Sequence, residues 1–170
     1  MTLSMYQASV PNFIFGLKNL SAVLTKAEAY ATAKKIDPSV LVNARLYPDM
    51  FPLSRQVQIA CDIVKGGIAR LAGVEIPSFP DTESTFAELQ QRIQKTLAFI
   101  QSATAQQIDG SEKKTVSLKV GGKDKEFEGQ DYLLRFVIPN FYFHTSITYA
   151  LLRHNGLEIG KADYLGPILG

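Results

Sequence analysis

The sequence contains a single cysteine, Cys61, and lacks both long apolar runs and basic clusters. One cysteine cannot form an internal disulfide, which fits a reducing compartment. No stretch of 18 apolar residues is present, so no segment is long enough to span a bilayer as a helix. The N-terminal residues form neither a basic region nor an apolar core of signal-peptide length. We therefore expect a cytoplasmic protein that is neither exported nor inserted into a membrane.

A strong excess of charge of one sign is also absent, since 16 Asp and Glu residues nearly balance 18 Lys and Arg residues, for a net charge of +2. The longest basic runs are pairs, Lys34-Lys35 and Lys113-Lys114. Proteins that bind duplexes cluster their basic side chains to neutralise phosphates, so we expect no nucleic-acid partner.

A chain of 170 residues that is 46% hydrophobic and 20% charged is typical of one globular domain, spanning residues 1–170.

Four segments carry apolar residues at alternating spacings of four and three, the pattern of helices that bury one stripe in a bundle. They run from about Leu3 to Lys35, from Leu53 to Ala72, from Thr85 to Ile100 and from Asp131 to His154. Four such helices predict a mainly all-α fold, an antiparallel four-helix bundle with up-down connectivity.

Two residues interrupt these patterns. Pro11 lies inside the first segment, where it either starts the main helix or kinks a longer one. Gly67 lies on the buried stripe of the second segment, where a glycine lets a neighbouring helix approach closely.

On the third helix we expect Arg92 on the exposed face, and on the second we place Asp62 on the outer face.

The region between the third and fourth helices has a different period. Val116, Leu118 and Val120 alternate with polar residues, and Gly121-Gly122 follows. This pattern predicts a small β-hairpin, at about residues 115–128, closed by a two-residue turn. After the last helix, a tail at about residues 157–170 contains enough apolar residues that we expect it to dock on the bundle.

The fourth helix carries Asn140 and His144 at stripe positions where the other helices are apolar. The two residues lie one turn apart, so both side chains are expected to point into the bundle, where ligand and metal sites are built. They could form such a site, or they could be a buried, hydrogen-bonded pair that fixes the packing register. Tyr149, on the same helix, would contribute to an aromatic wall for a ligand, or simply pack in the core.

Segments along the whole chain resemble those of one bacterial family of domains of unknown function. The resemblance lies in residues 48–53 (PDMFPL), 56–62 (QVQIACD), 70–73 (RLAG), 129–133 (GQDYL), 140–144 (NFYFH), 149–156 (YALLRHNG) and 160–166 (GKADYLG). That family is grouped with the DinB/YfiT-like helical bundles, a superfamily described as metalloenzymes. The resemblance implies a helical-bundle fold and a homodimer.

Better-known members of the superfamily hold a divalent metal with three histidines, one from the second helix and two, spaced four apart, from the fourth. Some of them transfer low-molecular-weight thiols onto electrophiles. By resemblance, this chain has His144 at one ligand position and Asn140 at the other, and its second helix contains no histidine. We therefore predict a degenerate metal site and no cofactor, with His144 as the one candidate metal ligand.

These features favour a ligand-binding or non-catalytic homodimer, with Asn140, His144 and Tyr149 as candidate contacts to a small molecule. The alternative is a thiol-transferase-like enzyme, with or without a metal. In that enzyme His144 would act as a general base or ligand, and Asn140 would orient the substrate or a water. A third hypothesis is a module that binds a partner through the hairpin edge or the tail.

Overall fold

The computed structural model describes residues 3–167 and is mainly helical, with one two-stranded antiparallel sheet. The helices are α1 (Met5–Lys34), α2 (Pro38–Val42), α3 (Leu53–Ala72), α4 (Phe86–Gln101), α5 (Ala105–Ile108), α6 (Gly129–Asp131), α7 (Ile138–His154) and α8 (Lys161–Leu165). The strands are β1 (Thr115–Val120) and β2 (Lys123–Glu128), and a π-helical segment, Tyr132–Val137, joins α6 to α7. No helix among residues 3–167 is long and apolar enough to cross a membrane.

The four long helices surround one hydrophobic core. Helix α1 packs against α4, α4 against α3, α3 against α7, and α7 against α1, which closes the ring. The apolar stripes predicted for the first three helices are buried along almost their whole length, from Val10 to Ala31, Leu53 to Leu71 and Phe86 to Ile100. The predicted helical core is therefore confirmed.

Helix α1 continues through Pro11 as one longer helix. Because proline has no amide hydrogen, the carbonyl of Gln7 loses its usual partner one turn earlier. The side-chain amide of Asn12 donates to that carbonyl at 3.2 Å and to the carbonyl of Ala8 at the same distance. The side chain of Asn12 thus supplies the hydrogen bond that Pro11 cannot donate, and the helix continues.

Helix α3 approaches the π-helical segment at Gly67. A β-carbon placed at Gly67 would lie 2.7 Å from Cγ1 of Val137, which is closer than carbon atoms can pack. The glycine on the stripe therefore allows the close approach that its position predicted.

The hairpin forms where the alternating pattern predicts it. Thr115 pairs with Glu128 and Val120 with Lys123, and both turn residues, Gly121 and Gly122, have positive φ angles of 57° and 78°. Two positive φ angles are what a type I′ turn requires, and glycine adopts them without strain.

The tail also docks on the bundle, as expected. Leu157 and Ile159 are buried, and α8 packs against α1. The last part of the predicted tail, residues 168–170, lies outside the described residues.

The fourth helix differs from the regular helix that its period predicts. Its first residues form the π-helical segment, in which the amide of Ile138 donates to the carbonyl of Leu133, five residues back. Pro139 follows directly and has no amide to continue the regular ladder.

The prediction that Arg92 lies on an exposed face is wrong, because its side chain is buried against the loop between α3 and α4. Its guanidinium lies 2.8 Å from Asp62, 2.9 Å from Asp81 and 3.0 Å from Glu83. Asp62 accordingly faces Arg92 across the α3–α4 contact and does not point away from the bundle. Arginine is seldom buried unless its charge is paired, and here carboxylates from the loop and from α3 pair it.

Candidate functional site

His144 points into the bundle, where it meets Gln56 of α3. Its side chain is only 8% exposed, and its Nδ1 atom lies 2.7 Å from Oε1 of Gln56. The amide nitrogen of Gln56 donates to the carbonyl of Phe51 at 3.1 Å, so the Gln56 oxygen faces the imidazole and accepts from it. Nδ1 of His144 therefore carries the proton, and Nε2 keeps its lone pair.

The surroundings of His144 favour the neutral imidazole. Burial lowers the pKa of His144 below its ordinary value of 6.5, and the nearby charge of Arg55 lowers it further. Both effects disfavour a second positive charge in the same region. At neutral pH the ring is uncharged and donates one hydrogen bond.

Asn140 lies one turn before His144 and is half-buried. Its side-chain amide donates to the carbonyl of Phe136 at 2.6 Å. Pro139 precedes it. In a regular helix the amide at position 139 would pair with the carbonyl of Arg135, so the bond to Phe136 holds the Asn140 side chain on its own helix and does not replace the missing amide.

These residues do not fit a divalent metal. A zinc site takes three or four ligands from cysteine, histidine and carboxylate side chains. Among residues 3–167, no three such side chains are grouped so that they could hold a metal ion. Nε2 of His144 would be one donor, whereas Gln56 is held by His144 and Phe51, and the amide of Asn140 is held by Phe136.

Cys61 lies on the same helix as Gln56 and is fully buried. Burial raises the pKa of its thiol to about 12, although a hydrogen bond to Thr96 and the charge of Arg92 act in the opposite direction. The thiol is protonated at neutral pH, so it is not a nucleophile.

Tyr149 lies on a different face of α7 and lines a partly open cavity of about 90 Å³ between α1, α7 and α8. We call this space the α8 cavity. Its lining is largely apolar and aromatic and includes Phe15, Leu20, Val23, Phe141, Tyr142, Thr145, Tyr149 and Tyr164. Because each residue turns an α-helix by about 100°, position 144 lies roughly 140° and position 140 roughly 180° around the helix from position 149. The structure thus separates Tyr149 from Asn140 and His144.

One wall of the α8 cavity depends on close packing between α1 and α7. A β-carbon at Gly16 would lie 2.6 Å from Cε1 of Phe141, so the ring of Phe141 lies directly on the backbone of α1. This ring also makes edge-to-face contacts with Phe13 and Tyr142, at centroid distances of 5.4 and 5.2 Å. Such contacts hold aromatic rings in defined orientations.

The opposite wall is the short helix α8, which polar contacts hold in place. The side-chain amide of Asn19 donates to the carbonyl of Leu165 at 2.9 Å, and Lys26 forms an ion pair with Asp163. The hydroxyl of Tyr164 lies 3.2 Å from that of Thr145 and 3.0 Å from that of Ser146.

Gly166 ends this wall with a φ of +66°, a conformation that glycine adopts without strain. Any side chain at this position would collide with the amide of Asn19. The chain after α8 can therefore pass close to α1.

The sequence suggested an aromatic wall of Phe141, Tyr142, Phe143 and Tyr149, and three of these four line the cavity, but the parts contributed by α1 and α8 were missed. The spacing of Phe141, Tyr142, Thr145 and Tyr149 on one helical face was a visible signal. The contributions of Asn19 and Tyr164 could not be predicted, because they depend on α8 packing against distant parts of the chain. Asn19 and its partner Leu165, for example, lie 146 residues apart.

The comparisons with known proteins agree with the fold. Residues 5–165 match the model of a domain of unknown function, DUF1993. A crystal structure of a DinB family member protein from Shewanella denitrificans is 42% identical in sequence and superposes with a TM-score of 0.88. That match covers 97% of this chain and 93% of the other. No curated protein matches the sequence. The chain therefore belongs to the DUF1993 family and has a DinB-like fold.

Proposed function

We propose that this protein is a non-catalytic, small-molecule-binding bundle whose ancestral metal site has been replaced by hydrogen bonds. The observation that carries the proposal is that, among residues 3–167, no cysteine, carboxylate or second histidine joins His144 in a group that could hold a metal ion. The hydrogen bond from Nδ1 to Gln56 fixes the ring, as it also would in a metal-binding histidine, but Nε2 would be a single donor where a metal takes three or four.

The α8 cavity supports the ligand-binding part of the proposal. Ligand sites are usually concave and mostly apolar, with a few polar groups that fix orientation. This cavity has that character, and it contains Tyr149, one of the three candidate contacts. Asn140 and His144 then have structural roles in the bundle.

The finer architecture and the assembly form part of the same proposal. We propose that the four long helices run antiparallel and that two copies form a cytoplasmic homodimer. Exposed apolar side chains on α1 and α7 support the dimer, among them Phe15, Tyr142 and Phe143, which are 40%, 41% and 54% exposed. Exposed apolar patches on helices commonly mark interfaces.

The enzyme alternative would use Nε2 of His144 as a base without a metal. The lowered pKa keeps that atom unprotonated at neutral pH, which a base requires. Its burial works against this role, because a base must come within hydrogen-bond reach of its substrate.

Zinc titration by calorimetry, on untagged protein, tests the absence of the metal site. We expect no saturable binding near one ion per chain, and the same result for the His144→Ala and His154→Ala variants. His154 is the matched control because it is the other histidine and is exposed. Binding of one zinc per chain that disappears in His144→Ala but persists in His154→Ala would contradict the proposal.

A further inference from the structure

The α8 cavity has properties that define the class of its ligand. Aromatic rings form much of its lining, with Phe15 and Phe141 on one side and Tyr142, Tyr149 and Tyr164 around the rest. The rings of Tyr149 and Tyr164 meet edge-to-face, with centroids 5.8 Å apart at 70°. Aromatic walls in this geometry favour another aromatic ring, because ring edges and ring faces carry opposite partial charges.

Among the residues that the structure describes, no charged side chain lines the cavity. Lys26 and Asp163 are not part of the lining, and their charges already pair with each other. A charged ligand would lose its hydration without gaining an opposite charge, which disfavours its binding. The lining therefore favours an uncharged ligand.

The size of the cavity sets a further limit. An engineered apolar cavity of about 150 Å³ stays dry and binds benzene. The α8 cavity, at about 90 Å³, is smaller, but in the single chain it opens beside Phe15 and Tyr142, on the face that we propose to meet a second copy. One ring can enter while a small substituent remains near the opening.

From these three observations, we infer that the α8 cavity binds an uncharged, single-ring aromatic compound and that α8 forms the closing wall of the site. This inference rests on the proposed ligand-binding function and names the place and chemical class of the ligand. The contacts of Asn19 with Leu165 and of Tyr164 with Thr145 and Ser146 hold the closing wall against α1 and α7. Neither His144 nor Asn140 takes part.

Fluorine NMR with 4-fluorophenol as the probe tests the inference on the full chain. We expect a saturable shift of the probe signal with wild-type protein. 4-Fluorobenzoate, which carries a negative charge at pH 7.5, should bind about tenfold more weakly or not at all. Absence of a saturable shift with 4-fluorophenol, or equal affinity for the two probes, would overturn the inference.

Two variants of matched chemistry locate the site. Val23 lines the cavity, so Val23→Phe should fill it and weaken 4-fluorophenol binding by about tenfold or more. Val40 lies on α2 and is exposed, so Val40→Phe makes the same change elsewhere and should leave the affinity within about twofold. Should Val23→Phe fail to fold, Tyr164→Ala removes part of the closing wall and is expected to weaken binding similarly. Equal affinities for all variants would overturn the inference.

The same variants separate this inference from the proposed function. If the purified protein carries a small molecule that 4-fluorophenol does not displace and Val23→Phe does not exclude, the ligand lies elsewhere. The α8 cavity would then be the wrong site, although the ligand-binding function would stand. A change of oligomeric mass in Val23→Phe, without loss of a bound compound, would show instead that the cavity holds a side chain of a second copy.

Discussion

At the scale of single residues, His144 is best understood from what its two ring nitrogens face. Nδ1 is fixed by Gln56, and Nε2 is left with a lone pair in a buried position beside Arg55. An imidazole in this environment gains little from protonation and loses hydration if it is charged. The pH at which His144 gains its second proton therefore depends on how the ring is packed.

The lowered pKa of His144 predicts acid sensitivity of the fold. Between the folded pKa and the ordinary value of 6.5, the unfolded chain binds a proton at His144 and the folded chain does not. The free energy of unfolding should therefore fall as the pH drops below about 6.5. Urea titrations between about pH 7.5 and 5 measure this slope, in a range above the ordinary titration of most carboxylates.

A matched pair of variants assigns that slope. His144→Gln should flatten the pH dependence, because glutamine does not titrate. His154→Gln, at the exposed histidine, should retain it. If the wild-type slope survives in His144→Gln, the titrating group lies elsewhere and the description of His144 as a buried neutral ring is wrong.

Arg92 shows why a helical period alone can misplace a residue. The period identifies the faces of α4 correctly, since every predicted stripe residue of that helix is buried. It does not report that the loop between α3 and α4 folds back and brings Asp81 and Glu83 onto the outer face. The contact between His144 and Gln56 could not be predicted either, because the two residues lie 88 positions apart in sequence and meet only where α7 packs against α3.

At the scale of elements, the long helices and the hairpin could be predicted because each depends on local pattern. Alternating spacings of three and four specified the buried stripes, and the Gly121-Gly122 pair specified the turn. The π-helical segment was not predicted, because Leu133 and Val137 stay buried whether the turn there is regular or wide. The adjacent Pro11 and Asn12 could have suggested the side-chain hydrogen bond that gives the carbonyl of Gln7 a new partner, since both residues are visible in the sequence.

The adjacent glycines of α3 offer a sharp test of helix packing. Gly67→Ala should destabilise the protein by about 1–3 kcal/mol, because the new methyl group would overlap Val137 in the core. Gly66→Ala, one residue earlier, meets only the flexible end of Arg70 and should be neutral or stabilising by up to about 1 kcal/mol. Chemical denaturation of both variants measures the difference.

A compensating change checks the cause. Val137→Ala removes the methyl groups that the Gly67→Ala side chain would strike, so the double variant should lose less stability than the sum of the single variants. Strict additivity would mean that the two residues do not contact each other as the structure shows.

At the scale of the whole molecule, the chain is a DinB-like helical protein, and we propose that it has kept this architecture while losing the metal site. The overall fold could be recognised from the sequence, and the comparisons confirm it. The three candidate residues divide into two places, with Asn140 and His144 in the bundle and Tyr149 at the α8 cavity. The helical period already places Tyr149 on a different face from Asn140 and His144, but only the positions of α1, α3 and α8 show what each face meets.

Native mass spectrometry of untagged protein, purified without chelators, measures bound metal, bound ligand and assembly together. A tag is excluded because added histidines would supply metal ligands. We expect a dimer of twice the 18.8 kDa chain mass that carries no metal and that releases a small organic molecule on activation. One metal ion per chain, lost in His144→Ala, would contradict the proposed loss of the metal site and restore His144 to a metal centre.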